Sequence, residues 1–182
     1  MVKVDHIKHI IALDDGVSAS ITDGIVTISK EGTSVSREFI NPRVSVFLED
    51  GNPVVFCDLP RRKEKALSGT WGAHLRNMNK GVSEGFEYRL KAVYSHFPMT
   101  LKVEGSVLTI SNLFGEKIPR RAKLPWTPSE VVVKIENKTD VVVSGADREK
   151  VGQTSANIEQ ACRIRRRDRR VFQDGVYIVS KS

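Results

Sequence analysis

The sequence predicts an α+β fold made of two similar domains from an internal repeat, each a small, mostly antiparallel β-sheet covered by one main α-helix. Three observations carry that expectation. The segment Asp23-Gly24-Ile25-Val26-Thr27-Ile28-Ser29 is echoed by Glu104-Gly105-Ser106-Val107-Leu108-Thr109-Ile110-Ser111, with the shared Thr-Ile-Ser standing 82 positions further on. The β-branched runs 44–49 and 54–56, around a turn at 50–53, are answered in the same order by 131–136 and 141–143 around a turn at 137–140. A helical signature then follows each pair: Asp58 ahead of Pro60 and a run to about Asn79, and Asp147 ahead of a run to about Cys162.

The strands are short, rich in Val and Ile, and separated by Gly, Asp and Asn, which favours antiparallel hairpins over parallel crossovers. In the first helix Leu67, Trp71, Leu75 and Met78 recur at spacings of four, four and three, a narrow apolar stripe suited to lying on one face of a sheet. A proline near its start and Lys80-Gly81 after its end mark initiation and termination. These signals place the domain boundary after residue 80, giving domains 1–80 and 81–182. Gly81-Val82-Ser83-Glu84-Gly85 then reads as a short linker, and 86–95 as an extra strand opening the second domain. The second helix carries Val151, Ile158 and Cys162 on one stripe, with Thr154 or Ser155 filling the gap.

With 182 residues, 40% apolar and 28% charged, the chain has the composition of a globular protein. No stretch approaches the roughly 18 apolar residues of a membrane helix, and the start lacks the apolar run of a secretory signal. A cytoplasmic protein with no membrane partner is expected. Cys57 and Cys162 form no CxxC, which argues against a disulfide framework or a cysteine zinc site and makes both small buried hydrophobes.

Charge gives the first functional direction. The formal net charge is +7, and residues 1–80 hold 11 basic and 10 acidic side chains, so nearly all the excess is in the second half. There, Arg163-Ile164-Arg165-Arg166-Arg167-Asp168-Arg169-Arg170 places six arginines in eight positions. A weaker cluster is Lys117, Arg120, Arg121 and Lys123. The negative end of a helix explains one or two cations; six crowded guanidinium groups call for an anion, and the planar fork suits phosphate. The turn and apolar residues of 171–178 pin the run, so it forms a surface and not a tail. Phe172 and Tyr177 are the aromatics beside it, too few for base stacking along a single strand, so contacts to phosphates and ribose of structured RNA are favoured.

Other motifs read as structure. Asn137-Lys138-Thr139-Asp140 matches a guanine-reading tetrapeptide, but no GxxxxGK[ST] phosphate cradle accompanies it, so it is a hairpin turn. His6 and His9 lack the further ligands a metal needs. Asp14-Asp15 and Glu49-Asp50 are turn formers, not a buried acid/base pair. No nucleophile elbow or Cys/His pair occurs. No catalysis, cofactor, metal or small-molecule substrate is expected.

The stretch 160–181 carries a more specific pattern. Gln160, Ile164, Arg167, Arg170, Phe172, Asp174, Gly175, Val176, Tyr177, Ile178 and Lys181 satisfy, in register, a signature of Gln, an aliphatic residue, spaced bases, Phe-x-Asp-Gly-aliphatic-Tyr-aliphatic and a final base. The chain thereby resembles the large-subunit ribosomal protein L six family in its archaeal and eukaryotic form. Gly81-Val82-Ser83-Glu84-Gly85-Phe86, His96-Phe97-Pro98 and Ser144-Gly145-Ala146-Asp147 add support over the rest of the chain. The resemblance implies two similar α+β domains and a structural role in the ribosome. It also implies binding to large-subunit rRNA near the sarcin-ricin loop, with translation factors docking nearby and other ribosomal proteins as neighbours. On it, Arg163, Arg165, Arg166, Arg167, Arg169, Arg170 and Lys181 are the expected rRNA contacts. Lys117, Arg120, Arg121 and Lys123 are added from charge alone, and Asp174-Gly175 is assigned to the turn that aims the loop. The alternative is an RNA-binding protein acting outside the ribosome.

Overall fold

The computed structural model describes residues 5–165 and 167–182. The chain divides into two compact units, the first ending at Gly85 and the second beginning at Phe86.

The first unit runs β1 (His6–Ile10), β2 (Ser18–Thr22), β3 (Ile25–Lys30), β4 (Thr33–Glu38), β5 (Ser45–Glu49), β6 (Asn52–Asp58) and α1 (Arg62–Ser83). Its strands form two three-stranded antiparallel sheets, ordered β1-β6-β5 and β2-β3-β4. The expectation of one sheet per domain is therefore corrected to two. Period-two alternation identifies a strand but not its partner, and β1 pairs across almost the whole unit, Ile10 opposite Val54 and His6 opposite Asp58. Asp50 and Gly51, with φ of +51° and +82°, make a two-residue turn between Glu49 and Asn52, so Asn52 and Pro53 belong to β6 and not to the turn.

Helix α1 rests on strands of both sheets: β1 and β6 of one, β3 and β4 of the other. Trp71, Leu75 and Met78 are buried and Leu67 is half-buried. Trp71 meets Phe39 edge to face at 5.3 Å. The helix does not stop at Gly81. The stripe continues to buried Val82, and Ser83 lies within the helix, so the first three residues of the expected linker are helical and residue 80 falls in the last turn of α1. The terminating glycine is Gly85: its φ of +78° suits a residue without Cβ, and its N–H donates back to the Lys80 carbonyl at 3.3 Å.

The second unit runs β7 (Phe86–Val93), β8 (Thr100–Glu104), β9 (Val107–Ser111), a 3-10 turn (Leu113–Gly115), β10 (Arg120–Lys123), β11 (Val131–Glu136), β12 (Asp140–Gly145), α2 (Arg148–Ala161) and β13 (Gly175–Lys181). Its sheets are ordered β10-β9-β8 and β11-β12-β7-β13, again antiparallel. The order β11-β12-β7 matches β5-β6-β1, with β7 in the position of β1 and β13 as the strand beyond it. Helix α2 packs against strands of both sheets. Asp147 caps it, accepting the Glu149 N–H at 2.8 Å. Val151 and Ile158 face a core with Leu90, Leu108, Ile110, Val141, Val143 and Val176. Thr154 and Ser155 are both buried, their hydroxyls donating to the carbonyls of Lys150 and Val151.

Candidate nucleic-acid interface

The candidate interface lies between the end of α2 and the start of β13. The last carbonyls of a helix lack partners within it and carry its negative pole, and α2 has no basic residue in its own last turn. Arg120 supplies one from β10. Its Nη1 donates to the carbonyls of Ala161 at 3.3 Å and Arg163 at 2.7 Å. On the other side its Nε and Nη2 form a fork onto Glu116, at 2.9 and 2.7 Å. The hydrogen bond between them holds the Arg120 pKa above its ordinary value and the Glu116 pKa below its own. Arg120, expected as an RNA contact from charge alone, is half-buried and bonded within the fold, where it acts as a brace. Strand parity explains it. Residues 120, 122 and 124 share the inward side, where Ala122 and Leu124 are buried, while Arg121 and Lys123 point outward and are exposed. Lys117, in the turn before β10, is exposed as well.

Beyond α2 the loop is fastened at both ends. Ile164 and Phe172 pack against the core. Between them Asp168 organises a turn, its carboxylate accepting the Arg170 N–H at 2.9 Å and its carbonyl accepting those of Val171 and Phe172. Backbone and apolar anchors being so used, the side chains of Arg163, Arg165, Arg167, Arg169 and Arg170 are left exposed. Among the described residues none of these five forms a salt bridge with a carboxylate. Arg166 lies outside the described residues. Lys181, at the end of β13, is exposed, with its ammonium 5.7 Å from the Tyr88 ring centroid.

Asp174 fixes the exit of the loop. Its carboxylate is 2% exposed and takes hydrogen bonds from Ser95 N–H (3.1 Å), Ser95 Oγ (3.0 Å) and His96 N–H (3.3 Å), and lies 3.2 Å from His96 Nδ1. Burial pushes its pKa up, but the bonds from Ser95 and His96 together outweigh burial and hold it below the ordinary carboxylate value. Tyr177 closes the turn, donating its hydroxyl to the Gln173 carbonyl at 2.8 Å.

Three participants escaped the sequence reading. His96 stacks on Phe172 at 5.1 Å, and Phe114 meets the same ring edge to face at 5.8 Å. They come from β7–β8 and β9–β10 connections, so nothing local in the sequence joins them to the loop. Lys102 is the third: it is exposed on β8 and aligned through Thr109 of β9 with Arg121 of β10, a row that alternation along three strands could have shown.

The remaining candidates fall apart as sites. His6 and His9 are an odd number of residues apart on β1 and so face opposite sides, His6 stacking on Phe56 and His9 lying against Gly72 of α1. Asn137 and Lys138 form the β11–β12 turn. Among the described residues no group of three or more His, Cys, Asp or Glu side chains could hold a metal, and no helix is long and apolar enough to cross a membrane.

The family model described as Ribosomal protein L6 matches residues 15–85 and 97–175, one stretch in each unit. A large ribosomal subunit protein uL6 of Methanosarcina mazei is 44% identical over 179 residues, covering 98% of this chain and 99% of that protein. The protein of the same name from Methanobrevibacter smithii is 44% identical over 181 residues, covering 100% of this chain and 99% of its own length. With a match through both units and near-complete coverage by these relatives, the chain belongs to the ribosomal protein L6 family.

Proposed function

We propose that this chain is a structural constituent of the large ribosomal subunit in the cytoplasm, docking on folded large-subunit rRNA through the exposed cations of the second unit. Its family is one of ribosomal proteins and not of enzymes. The observation that carries the docking mode is the loop itself: five exposed arginines on a backbone fastened by Ile164, Phe172 and Asp174, without carboxylate partners among the described residues. A fixed scaffold bearing unneutralised forks suits a folded RNA backbone, and each phosphate it neutralises releases counterions. Lys181 extends the surface, with Arg166 continuing the loop in sequence, while Lys117, Arg121 and Lys123 offer secondary contacts. We propose, on the resemblance of the signature, that docking occurs near the sarcin-ricin loop, with translation factors and other large-subunit proteins alongside. The matched strand orders and the paired family-model stretches support an origin of the two units from one duplicated α+β unit, with residues 1–80 and 81–182 as its approximate halves in sequence.

Sedimentation at low and high salt tests the docking. The wild-type chain is expected in the large-subunit fraction and to be released progressively as salt rises. A variant with Arg163, Arg165, Arg169 and Arg170 all changed to Ala should fold normally yet remain in light fractions. Unchanged sedimentation and salt dependence would overturn the proposal. Recovery of the wild-type chain away from ribosomal particles would favour an RNA-binding protein acting outside the ribosome.

A further inference from the structure

Arg167 differs from the other exposed arginines of the loop because its guanidinium has a bed. The guanidinium carbon lies 4.9 Å from the Phe172 ring centroid and 5.2 Å from that of Phe114. The two rings meet edge to face at 80°, forming a corner against which a flat cation can rest. The corner is itself held. Phe172 stacks on His96 with 27° between the planes, and His96 is tied to the buried carboxylate of Asp174. Phe114 is 4% exposed and has a φ of +53°, a left-handed conformation that is costly for a bulky residue and persists only where its surroundings impose it. Glu116 feels the Arg167 charge, but its salt bridge is made with Arg120, and among the described residues Arg167 forms none. Among the described residues no such ring contact is made by Arg163, Arg165, Arg169 or Arg170.

We propose that Arg167 is a preorganised phosphate fork, with Phe114 and Phe172 as its positioning residues and His96 and Asp174 holding Phe172 in place. The inference rests on the rRNA-docking reading and deepens it. An unsupported arginine gives up much rotamer freedom when it binds, whereas a guanidinium already lying on two rings gives up less and presents its free N–H edge in a fixed plane. Two parallel hydrogen bonds to one phosphate then form without rearrangement. The flanking arginines act as mobile counter-charges, and Arg167 sets the register.

The test measures binding of the full chain to in vitro transcribed large-subunit rRNA over a series of KCl concentrations. Arg167→Ala should weaken binding and reduce the salt slope by about one. Phe172→Leu removes the ring face but no charge, so it should weaken binding about three- to tenfold at unchanged slope. In the Arg167→Ala background the same Phe172→Leu change should cost nothing further, and Phe172→Tyr should retain affinity because it keeps the face. If Phe172→Leu lowers the thermal midpoint, Phe172→Met is used for the same coupling measurement. Equal cost of the ring substitution with and without Arg167, or no cost at all, overturns the platform. Failure of the docking reading is distinct: the quadruple arginine variant would then bind with wild-type affinity and slope.

Discussion

The Nη1 group of Arg120 donates to the carbonyl oxygen of Arg163 at 2.7 Å, joining the second basic cluster of the sequence to the first residue of the arginine-rich loop. The two clusters are therefore not equivalent contact patches. One member of the smaller cluster holds the backbone from which the larger one projects, and its charge is met by Glu116 and by the end of α2.

Removing that brace should be felt in stability before it is felt in binding. Arg120→Ala leaves Glu116 without its partner and two helix-end carbonyls without a donor. The cost should be about 2–3 kcal/mol, the range for hydrogen bonds to charged groups in a part-buried site. Arg120→Lys should recover less than half, because an ammonium cannot fork onto Glu116 and reach the carbonyls of Ala161 and Arg163 together. Urea midpoints of the three proteins check this, and a lysine variant as stable as wild type would show that geometry is immaterial here.

Asp174 sets an acid limit. Its folded pKa is depressed, as is that of Glu116, so in acid the unfolded chain binds more protons than the folded one. Both groups contribute stability that is fully present above their unfolded values of roughly 4 and is lost as pH falls through the lower folded values. Asp174→Asn should cost about 2 kcal/mol at pH 7, since an amide cannot accept from Ser95 and His96 as a buried carboxylate does. The difference from wild type should shrink as pH falls below about 4, when unfolding is followed by circular dichroism. A constant difference over that range would mean the carboxylate charge does not matter.

Much of this was readable beforehand, and the boundary of what was readable is physical. The β-branched runs Ile25-Val26-Thr27-Ile28 and Val131-Val132-Val133 mark strands because branched side chains fit a pleated surface, and Trp71, Leu75 and Met78 mark a helix by their spacing on one face. Pairing is another matter. Whether β1 joins β6 or β2 depends on the free energy of a closed unit and not on His6 to Ile10 alone, so the second sheet of each unit was missed. The inward role of Arg120 was latent in the pattern Arg120, Ala122, Leu124, where two buried apolar residues fix the side of the third. The corner beneath Arg167 was not latent anywhere: His96, Phe114 and Phe172 are brought together only when both sheets close on one core.

Cys162 should be silent toward thiol reagents while the chain is folded. Burial pushes its pKa up to about 11, so almost no thiolate exists near pH 8, and the residue is 5% exposed at the end of α2. Cys57 is 1% exposed with a pKa raised by burial in the same sense. Labelling with an aromatic disulfide at pH 8 should give no fast phase in buffer and two equivalents in denaturant. A fast equivalent in buffer would mean that one of the two regions opens readily.

Two glycines of the second unit should respond oppositely to the same change. At Gly145, the last residue of β12, a Cβ would stand 2.5 Å from the Glu130 carbonyl oxygen and 3.1 Å from Val151. The closer neighbour is backbone and cannot swing aside, so Gly145→Ala must separate β12 from the segment leading into β11, at a cost of about 2 kcal/mol or more. Gly152 lies inside α2, and a Cβ there would meet the Tyr88 ring at 3.7 Å, an ordinary contact. Its backbone is already helical, so Gly152→Ala reduces the freedom of the unfolded chain and adds buried surface without strain, and should stabilise by about 0.5–1 kcal/mol. Thermal midpoints should therefore move down for Gly145→Ala and up for Gly152→Ala. Parallel shifts of the two would mean that the helix does not seat on β7 as the Tyr88 contact requires.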